Sequence, residues 1–132
     1  MRARFDALIF GRSFVHAWRG LRLAFKEEQS FRFQVFVGLL VIGFAMMIPV
    51  LWWQRITIFI VTSFVLVLEL INSCVERLVD LTRPRLDERA KDIKDLMAGA
   101  VLVASAVAVM IGVMILGPIV LSEIRFFVAG RL

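Results

Sequence analysis

Three long stretches of this chain hold almost no charged residues, and they constrain its fold more than any other feature. Residues 33–53 contain no formal charge, residues 56–75 contain only Glu69, and residues 96–122 contain none. A helix needs about 20 apolar residues to cross a bilayer. The sequence therefore predicts an all-α membrane protein, a single unit over 1–132. Its three transmembrane helices are predicted at about 31–53, 56–80 and 91–118, with an interfacial tail at 119–132.

The composition excludes several other classes of protein and site. Of the 132 residues, 61% are hydrophobic, more than the roughly half expected of a soluble domain. Cys74 is the single cysteine and His16 the single histidine, so neither an internal disulfide nor a Cys/His zinc site can form. The net charge of +5 does not indicate nucleic acid, because the basic residues flank the apolar runs instead of forming one polar face. An anionic membrane surface is the predicted partner.

The distribution of lysine and arginine predicts the orientation in the membrane. Residues 1–32 carry seven of these cations, the first connection carries only Arg55, and residues 77–95 carry six. Positive charge favours the cytoplasmic side. We therefore expect the N-terminus and the second connection to be cytoplasmic.

The segment at about 6–28 has the pattern of a helix that lies in the membrane interface. Its large apolar residues recur every three or four positions and form one stripe, made of Phe10, Phe14, Trp18, Leu21 and Phe25. Basic residues occupy the other faces, as is typical of interfacial helices. In the third span, Ala100, Ala104, Ala108 and Gly112 repeat every four residues, a pattern that favours close helix packing.

The second span carries a polar stripe that membrane insertion alone does not explain. At 100° per residue its polar members share an arc of about 100°, and they are Glu69, Asn72, Ser73, Glu76 and Asp80. A carboxylate within a span costs a few kcal/mol or more, so it should face the bundle interior or water. A neutral Glu69 that only holds helices together is the alternative, although Ser, Thr, Asn or Gln usually play that part.

The polar residues near the predicted cytoplasmic boundary suit phosphoryl transfer. Carboxylate and amide oxygens suit Mg²⁺, which commonly arrives with substrate phosphates, and the deeper Glu69 could act as a general base. Glu27 and Glu28 add acids at the start of the first span, and DIKD (92–95) places Lys94 and Asp95 at the start of the third. A helix N-terminus beside a lysine favours phosphate, although a plain charged helix start has the same pattern. The chain contains no P-loop motif, so any nucleotide is held differently.

Three segments resemble the small bacterial membrane kinases of diacylglycerol and undecaprenol. They are AWRGLRLAFKEEQSFR (17–32), LELINSCVERLVD (68–80) and AKDIKDLMAGAVLV (90–103). The resemblance implies an interfacial helix plus three transmembrane helices, assembled as a homotrimer with active sites between subunits. It also implies transfer of the ATP γ-phosphate, with Mg²⁺, to a lipid hydroxyl at the cytoplasmic interface.

The resemblance also implies a role for individual residues. Glu69 would be the catalytic base for the lipid hydroxyl, with Ser73 and Ala98 beside the lipid substrate. Glu28 and Glu76 would bind the metal, and they would also contact the nucleotide together with Arg12, His16, Arg19, Asn72, Lys94 and Asp95. Three positions depart from the familiar pattern: Ile9 stands in place of a basic residue, His16 of a tyrosine, and Gln34 of an acid.

The acceptor lipid and the functional class have alternatives. FKEEQSFRFQ (25–34) favours diacylglycerol, the preferred prediction, whereas KDLMAGAVLV (94–103) with IGVMILGP (111–118) favours undecaprenol. A small proton- or cation-coupled transporter subunit would use Glu69 as its carrier site, but it needs carboxylates reachable from both sides. All the acids except Glu123 belong to the predicted inner half. A purely structural protein leaves the two polar clusters without a purpose.

Overall fold

The computed structural model describes residues 7–82 and 88–129, with side chains from residue 11 onward. Four helices make up almost all of these residues: α1 (Ala7–Glu27), α2 (Gln29–Met47), α3 (Trp52–Thr82) and α4 (Glu88–Ala129). Several features used above lie outside the described residues: Arg2, Arg4, Asp6, Arg83, Arg85, residues 130–132, and the side chains of Ile9 and Phe10.

The three later helices are long and apolar enough to cross a membrane. At 1.5 Å per residue, α2 is about 28 Å long, α3 about 46 Å and α4 about 63 Å, against a hydrocarbon core of about 30 Å. The prediction of an all-helical fold with three membrane-length helices is therefore confirmed. Because α3 and α4 are longer than the hydrocarbon core is thick, both continue beyond it or tilt within it.

The connection between α2 and α3 lies earlier in the chain than predicted. Ile48 has an extended backbone, with φ −104° and ψ 157°, because the residue before a proline is driven out of the helical region by Pro49. The α2 helix therefore ends at Met47, and Trp52 and Trp53 open α3 instead of closing the first span. The Gln54 side chain accepts a hydrogen bond of 2.9 Å from the Leu51 N–H, which helps to begin α3.

The α4 helix does not end at Pro118, as the sequence predicted, but continues to Ala129. Proline removes one backbone donor, so the Met114 carbonyl loses its helical partner. Membrane helices tolerate this loss where neighbouring groups satisfy the carbonyl. The predicted interfacial tail is thus a helical extension of α4 as far as it is described.

Apolar packing holds α2, α3 and α4 together. A buried cluster of Ala45, Val50, Ile58 and Ile115 lies beside the connection between α2 and α3. Further along, a Cβ placed on Gly38 would lie 2.7 Å from the Thr62 Cγ2 atom. Only glycine lets α2 and α3 approach this closely, so Gly38 fixes their spacing.

The α1 helix makes little contact with the rest of the chain. Every residue from Gly11 to Leu23 is exposed, including Phe14 and Trp18 of the apolar stripe, while Ala24 is buried. The helix ends at an extended Glu28, and Arg32 donates hydrogen bonds to the Lys26 and Phe25 carbonyls at 2.8 and 3.3 Å. This brace fixes the corner between α1 and α2.

An open apolar groove of about 540 Å³ runs between α3 and α4. Three members of the small-residue ladder, Ala100, Ala104 and Ala108, line it. Within one chain these alanines do not bring α4 against another helix, so the expected close packing is not seen there.

Candidate active site

The polar stripe of α3 faces the interior of the bundle over its deeper half. Glu69, Asn72 and Ser73 are only 5%, 9% and 6% exposed, whereas Glu76 is half-buried and Asp80 is exposed. The burial decreases toward the end of the helices that carries Glu28, Glu76 and Asp80, which we call the acidic end. The stripe therefore leads from the acidic end into the bundle, with Glu69 at its inner limit.

Glu69 is held by α2 as well as by its own helix. The Gln34 Nε2 atom donates a hydrogen bond of 3.1 Å to Glu69 Oε2. One turn along α3, the Ser73 hydroxyl donates to the Glu69 backbone carbonyl at 3.1 Å. A buried carboxylate needs hydrogen-bond partners, and Gln34 supplies one. The position at which the sequence departs from the family pattern is thus in direct contact with the predicted catalytic residue.

Two buried amide oxygens near Glu69 have no hydrogen-bond donor. Asn72 Nδ2 donates to Glu76 Oε1 at 3.1 Å, but Asn72 Oδ1 is buried without a partner. Gln34 Oε1 is also buried without a hydrogen-bond partner. Leaving a buried acceptor unpaired costs about 1–3 kcal/mol. A ligand that brings a proton donor or a cation would remove this cost.

A second set of charges joins α3 to the corner between α1 and α2. Arg77 Nη2 lies 2.6 Å from Glu28 Oε1 and 3.1 Å from Glu27 Oε2. Glu28 stands at the N-cap position of α2 but makes no capping hydrogen bond, so its side chain is directed to α3 instead. This ion pair joins Glu28 to the helix that carries Glu69 and Glu76.

The third group of predicted residues lies on α4. Lys94 Nζ contacts Asp80 Oδ1 at 2.5 Å, which joins α4 to the outer end of the stripe. Asp95 and Ala98 are exposed. Because α4 begins at Glu88, Lys94 lies in its second turn and not at its N-terminus. The helix dipole acts mainly within the first turn, so the proposed help from a helix N-terminus at Lys94 was misplaced.

The structure does not bring the predicted α1 residues to this site within one chain. Arg12, His16 and Arg19 are all exposed on α1. At 1.5 Å per residue, Arg19 lies about 14 Å and Arg12 about 24 Å along the helix from Glu28. These side chains could reach a nucleotide at the acidic end only if the ligand extends along α1 or if another copy supplies them.

The oxygen atoms at the acidic end fit Mg²⁺ chemically. In the part of the chain that the structure describes, no three His, Cys, Asp or Glu side chains gather closely enough to form a metal site. However, Mg²⁺ is commonly held by one or two carboxylates with substrate phosphates and water. Glu28 and Glu76 offer two carboxylates, and the unpaired Asn72 Oδ1 offers a buried neutral oxygen. The donor set is therefore suitable once a phosphate completes it.

Comparison with known protein families gives a consistent result. The model of the family described as prokaryotic diacylglycerol kinase matches residues 15–116. This match covers α1 from its middle, all of α2 and α3, and α4 nearly to Pro118. The chain belongs to the prokaryotic diacylglycerol kinase family. It is accordingly a membrane protein, and the resemblance of its three segments to that family is confirmed.

Individual relatives in the family carry two different names. The chain is 38% identical over 111 residues to a diacylglycerol kinase of Synechocystis and 34% identical over 111 residues to an undecaprenol kinase of Bacillus subtilis. It is also 32% identical over 94 residues to the diacylglycerol kinase of Escherichia coli. These matches cover 83%, 83% and 71% of this chain, and 63%, 89% and 77% of the respective relatives. The chain therefore spans less than two thirds of the Synechocystis relative.

Two residues that contact the candidate site residues escaped the sequence analysis. Gln34 was noted only as a departure, and Arg77 was counted only as a charge that orients the membrane segments. Both contacts join distant parts of the chain, 35 residues apart for Gln34 and Glu69 and 49 for Arg77 and Glu28. One signal was present for the second pair, because Glu28 and Arg77 lie near predicted span ends on the same side of the membrane.

Proposed function

We propose that this chain is a lipid kinase that transfers the γ-phosphate of ATP to the hydroxyl of diacylglycerol and so makes phosphatidic acid. Membership of the family supports a lipid kinase. The buried Glu69, bonded to Gln34 and bordered by two unpaired amide oxygens, is the observation that carries the proposal. A site that offers mainly acceptors in a low-dielectric setting suits a ligand with a hydroxyl group and a bound cation.

Glu69 is the general base in this proposal. The lipid hydroxyl gives its proton to the Glu69 carboxylate while its oxygen forms a bond to the γ-phosphorus. The bond from that phosphorus to the bridging oxygen of ADP breaks, and ADP leaves. Gln34 keeps the carboxylate in place through its bond to Oε2, so that Oε1 meets the lipid. Ser73 and Ala98 border the lipid, and the apolar groove between α3 and α4, which Leu68 and Leu96 help to line, holds its acyl chains.

The acidic end binds the nucleotide. Glu28 and Glu76 hold Mg²⁺, which stabilises negative charge on the phosphates, and Asn72 supplies the neutral oxygen. Lys94 and Asp95 orient the phosphates from α4. Transfer of this kind depends on positioning and charge stabilisation more than on covalent chemistry, so residues that only hold charges in place have a large effect.

The α1 helix lies in the membrane interface with its exposed aromatic stripe toward the lipid. Arg12, His16 and Arg19 then contact the nucleotide. In the proposed homotrimer, active sites are shared between subunits, which accounts for the distance between these residues and Glu28 within one chain. The N-terminus and the acidic end face the cytoplasm, where ATP is available, in accord with the distribution of lysine and arginine.

The test is a direct assay of acceptor and catalyst. Purified protein receives Mg·ATP with diacylglycerol or with undecaprenol, and the phosphorylated lipid is measured. Glu69→Gln should abolish turnover and leave assembly intact, because the amide cannot accept the proton. Glu123→Gln is the matched control, since Glu123 is exposed near the far end of α4. Residual activity above about a tenth in Glu69→Gln rejects the general-base role.

Undecaprenol is the second candidate acceptor. The similarity to the Bacillus subtilis undecaprenol kinase covers 89% of that protein and favours it. The reaction would be the same, with undecaprenyl phosphate as the product. Faster turnover of undecaprenol than of diacylglycerol would assign the chain to this alternative, whereas no phosphorylation of either lipid would reject the kinase proposal.

A further inference from the structure

Arg77 is the one basic side chain that contacts the predicted metal ligand Glu28 among the described residues. A single nitrogen, Nη2, bridges Glu28 and Glu27 at 2.6 and 3.1 Å. The same residue follows Glu76 directly in α3. Arg77 thus occupies one oxygen of Glu28, the first of the two carboxylates that the proposed function assigns to Mg²⁺.

The ion pair between Arg77 and Glu28 lies where a metal ion could replace the guanidinium. The Arg77 and Glu28 side chains are 40% and 26% exposed, so solvent screens their attraction and the pair contributes little to stability. The corner between α1 and α2 has a separate brace, because Arg32 holds the last carbonyls of α1. Release of Glu28 by Arg77 would therefore not detach α1 from the bundle.

The charges near Arg77 explain what this residue does before a metal binds. Glu27 and Glu28 are neighbouring carboxylates, and the guanidinium that contacts both relieves the repulsion between them. A divalent cation would relieve it more strongly and would need the oxygen that Arg77 holds. The guanidinium, once free, suits a phosphate oxygen in charge and geometry.

We propose that Arg77 is a positioning residue that holds Glu28 as its counter-ion before a metal binds and exchanges it for a nucleotide phosphate when a divalent cation binds. This inference rests on the proposed function, in that it takes Glu28 as a metal ligand. In this scheme the Arg77 guanidinium first competes with the metal for Glu28 and then helps to bind the nucleotide through one of its phosphates.

The experiment measures metal binding without catalysis. Purified protein in detergent is titrated with Mn²⁺, without nucleotide or lipid acceptor, and free Mn²⁺ is read from its EPR signal. Arg77→Gln should bind Mn²⁺ about fivefold more tightly, because the metal no longer competes with an exposed ion pair for Glu28. The same variant should bind a non-hydrolysable Mg·ATP analogue about fivefold more weakly, since the phosphate loses a partner.

Two further variants separate this role from a structural one. Arg77→Lys keeps the positive charge and should restore Mn²⁺ affinity to near the wild-type value. Arg125→Gln removes an exposed arginine near the far end of α4 and should leave Mn²⁺ affinity unchanged. A merely structural Arg77 would weaken Mn²⁺ and nucleotide binding together, so the opposite signs support the exchange.

The results that overturn the inference differ from those that overturn the proposed function. If Glu28→Gln removes Mn²⁺ binding but Arg77→Gln binds Mn²⁺ as the wild type does or more weakly, the exchange is wrong and the metal role of Glu28 stands. If the wild type binds no Mn²⁺ even when the non-hydrolysable ATP analogue is present, or if Mn²⁺ binding survives in Glu28→Gln, the metal role of Glu28 is wrong and so is the exchange.

Discussion

Replacing Gly38 with alanine tests whether helix packing positions the catalytic residue. The added Cβ would lie 2.7 Å from Thr62 Cγ2, whereas ordinary carbon contacts begin near 3.4 Å. The helices α2 and α3 must therefore separate by about 0.7 Å or Thr62 must change rotamer. Overpacking of this size costs about 1–3 kcal/mol, so we expect Gly38→Ala to destabilise the fold by that amount.

The same displacement would act on the active site. Gln34 lies one turn of α2 before Gly38, and its bond to Glu69 is 3.1 Å long. A separation of about 0.7 Å would lengthen it to about 3.8 Å, which is beyond a hydrogen bond. We expect turnover to fall together with stability, because the carboxylate loses its brace from α2.

Unfolding by SDS in mixed micelles, followed by circular dichroism, measures the stability change. Gly43→Ala is the matched control, since a Cβ there meets nothing within 4 Å, and the change should be neutral or stabilising by up to about 1 kcal/mol. In the double variant Gly38→Ala/Thr62→Ser the obstructing methyl is gone, so stability should partly recover. A Gly38→Ala variant as stable as Gly43→Ala would refute the close approach of α2 and α3.

Three further predictions concern the acidic end and its orientation. Glu76→Gln should raise the Mg²⁺ concentration for half-maximal activity by about tenfold; an unchanged Mg²⁺ dependence in the kinase assay would exclude Glu76 as a ligand. Lys94→Met should raise the KM for ATP by about tenfold or more. It should change SDS stability by less than about 1 kcal/mol, because its partner Asp80 is 59% exposed; the reverse pattern would make Lys94 structural. With Cys74 replaced by serine, a cysteine at Gln54 should react with an impermeant maleimide on intact cells, and one at Lys91 only after permeabilisation; labelling in the opposite order would contradict the proposed orientation.

The sequence predicted the helices well because each depends on a local pattern. The uncharged runs are long enough to cross a membrane as helices. The spacing of Glu69, Asn72 and Ser73 placed these residues on one face of α3, and the structure buries them there. The limits of the helices were less accurate. One proline, Pro49, ends its helix through its effect on Ile48, and the other, Pro118, lies inside α4. Local sequence does not distinguish a proline that ends a helix from one that lies inside it, because continuation through Pro118 depends on which neighbouring groups satisfy the freed carbonyl.

The pairing of side chains between helices could not be predicted in this way. A periodic pattern states which face of a helix a residue occupies, but it does not state which residue of another helix lies opposite. Arg77 and Lys94 illustrate the difference. Both were counted among the cations that set orientation, yet each has an acidic partner, 49 residues away for Arg77 and 14 for Lys94. Because orientation follows the number of lysines and arginines more than net charge, these pairs do not weaken that prediction.

The register of α2 against α3 connects the apolar packing to the chemistry. Gly38 and Thr62 meet further into the bundle than Gln34 and Glu69, by about one turn along α2 and two turns along α3. A shift of α2 by one residue would rotate Gln34 away by 100° and leave Glu69 buried without its amide donor. The cost of an unpaired buried carboxylate is large, so the apolar contact and the polar contact favour the same register. A catalytic carboxylate inside a membrane protein is thus positioned by a glycine that carries no functional group, and its environment depends on packing as much as on its own helix.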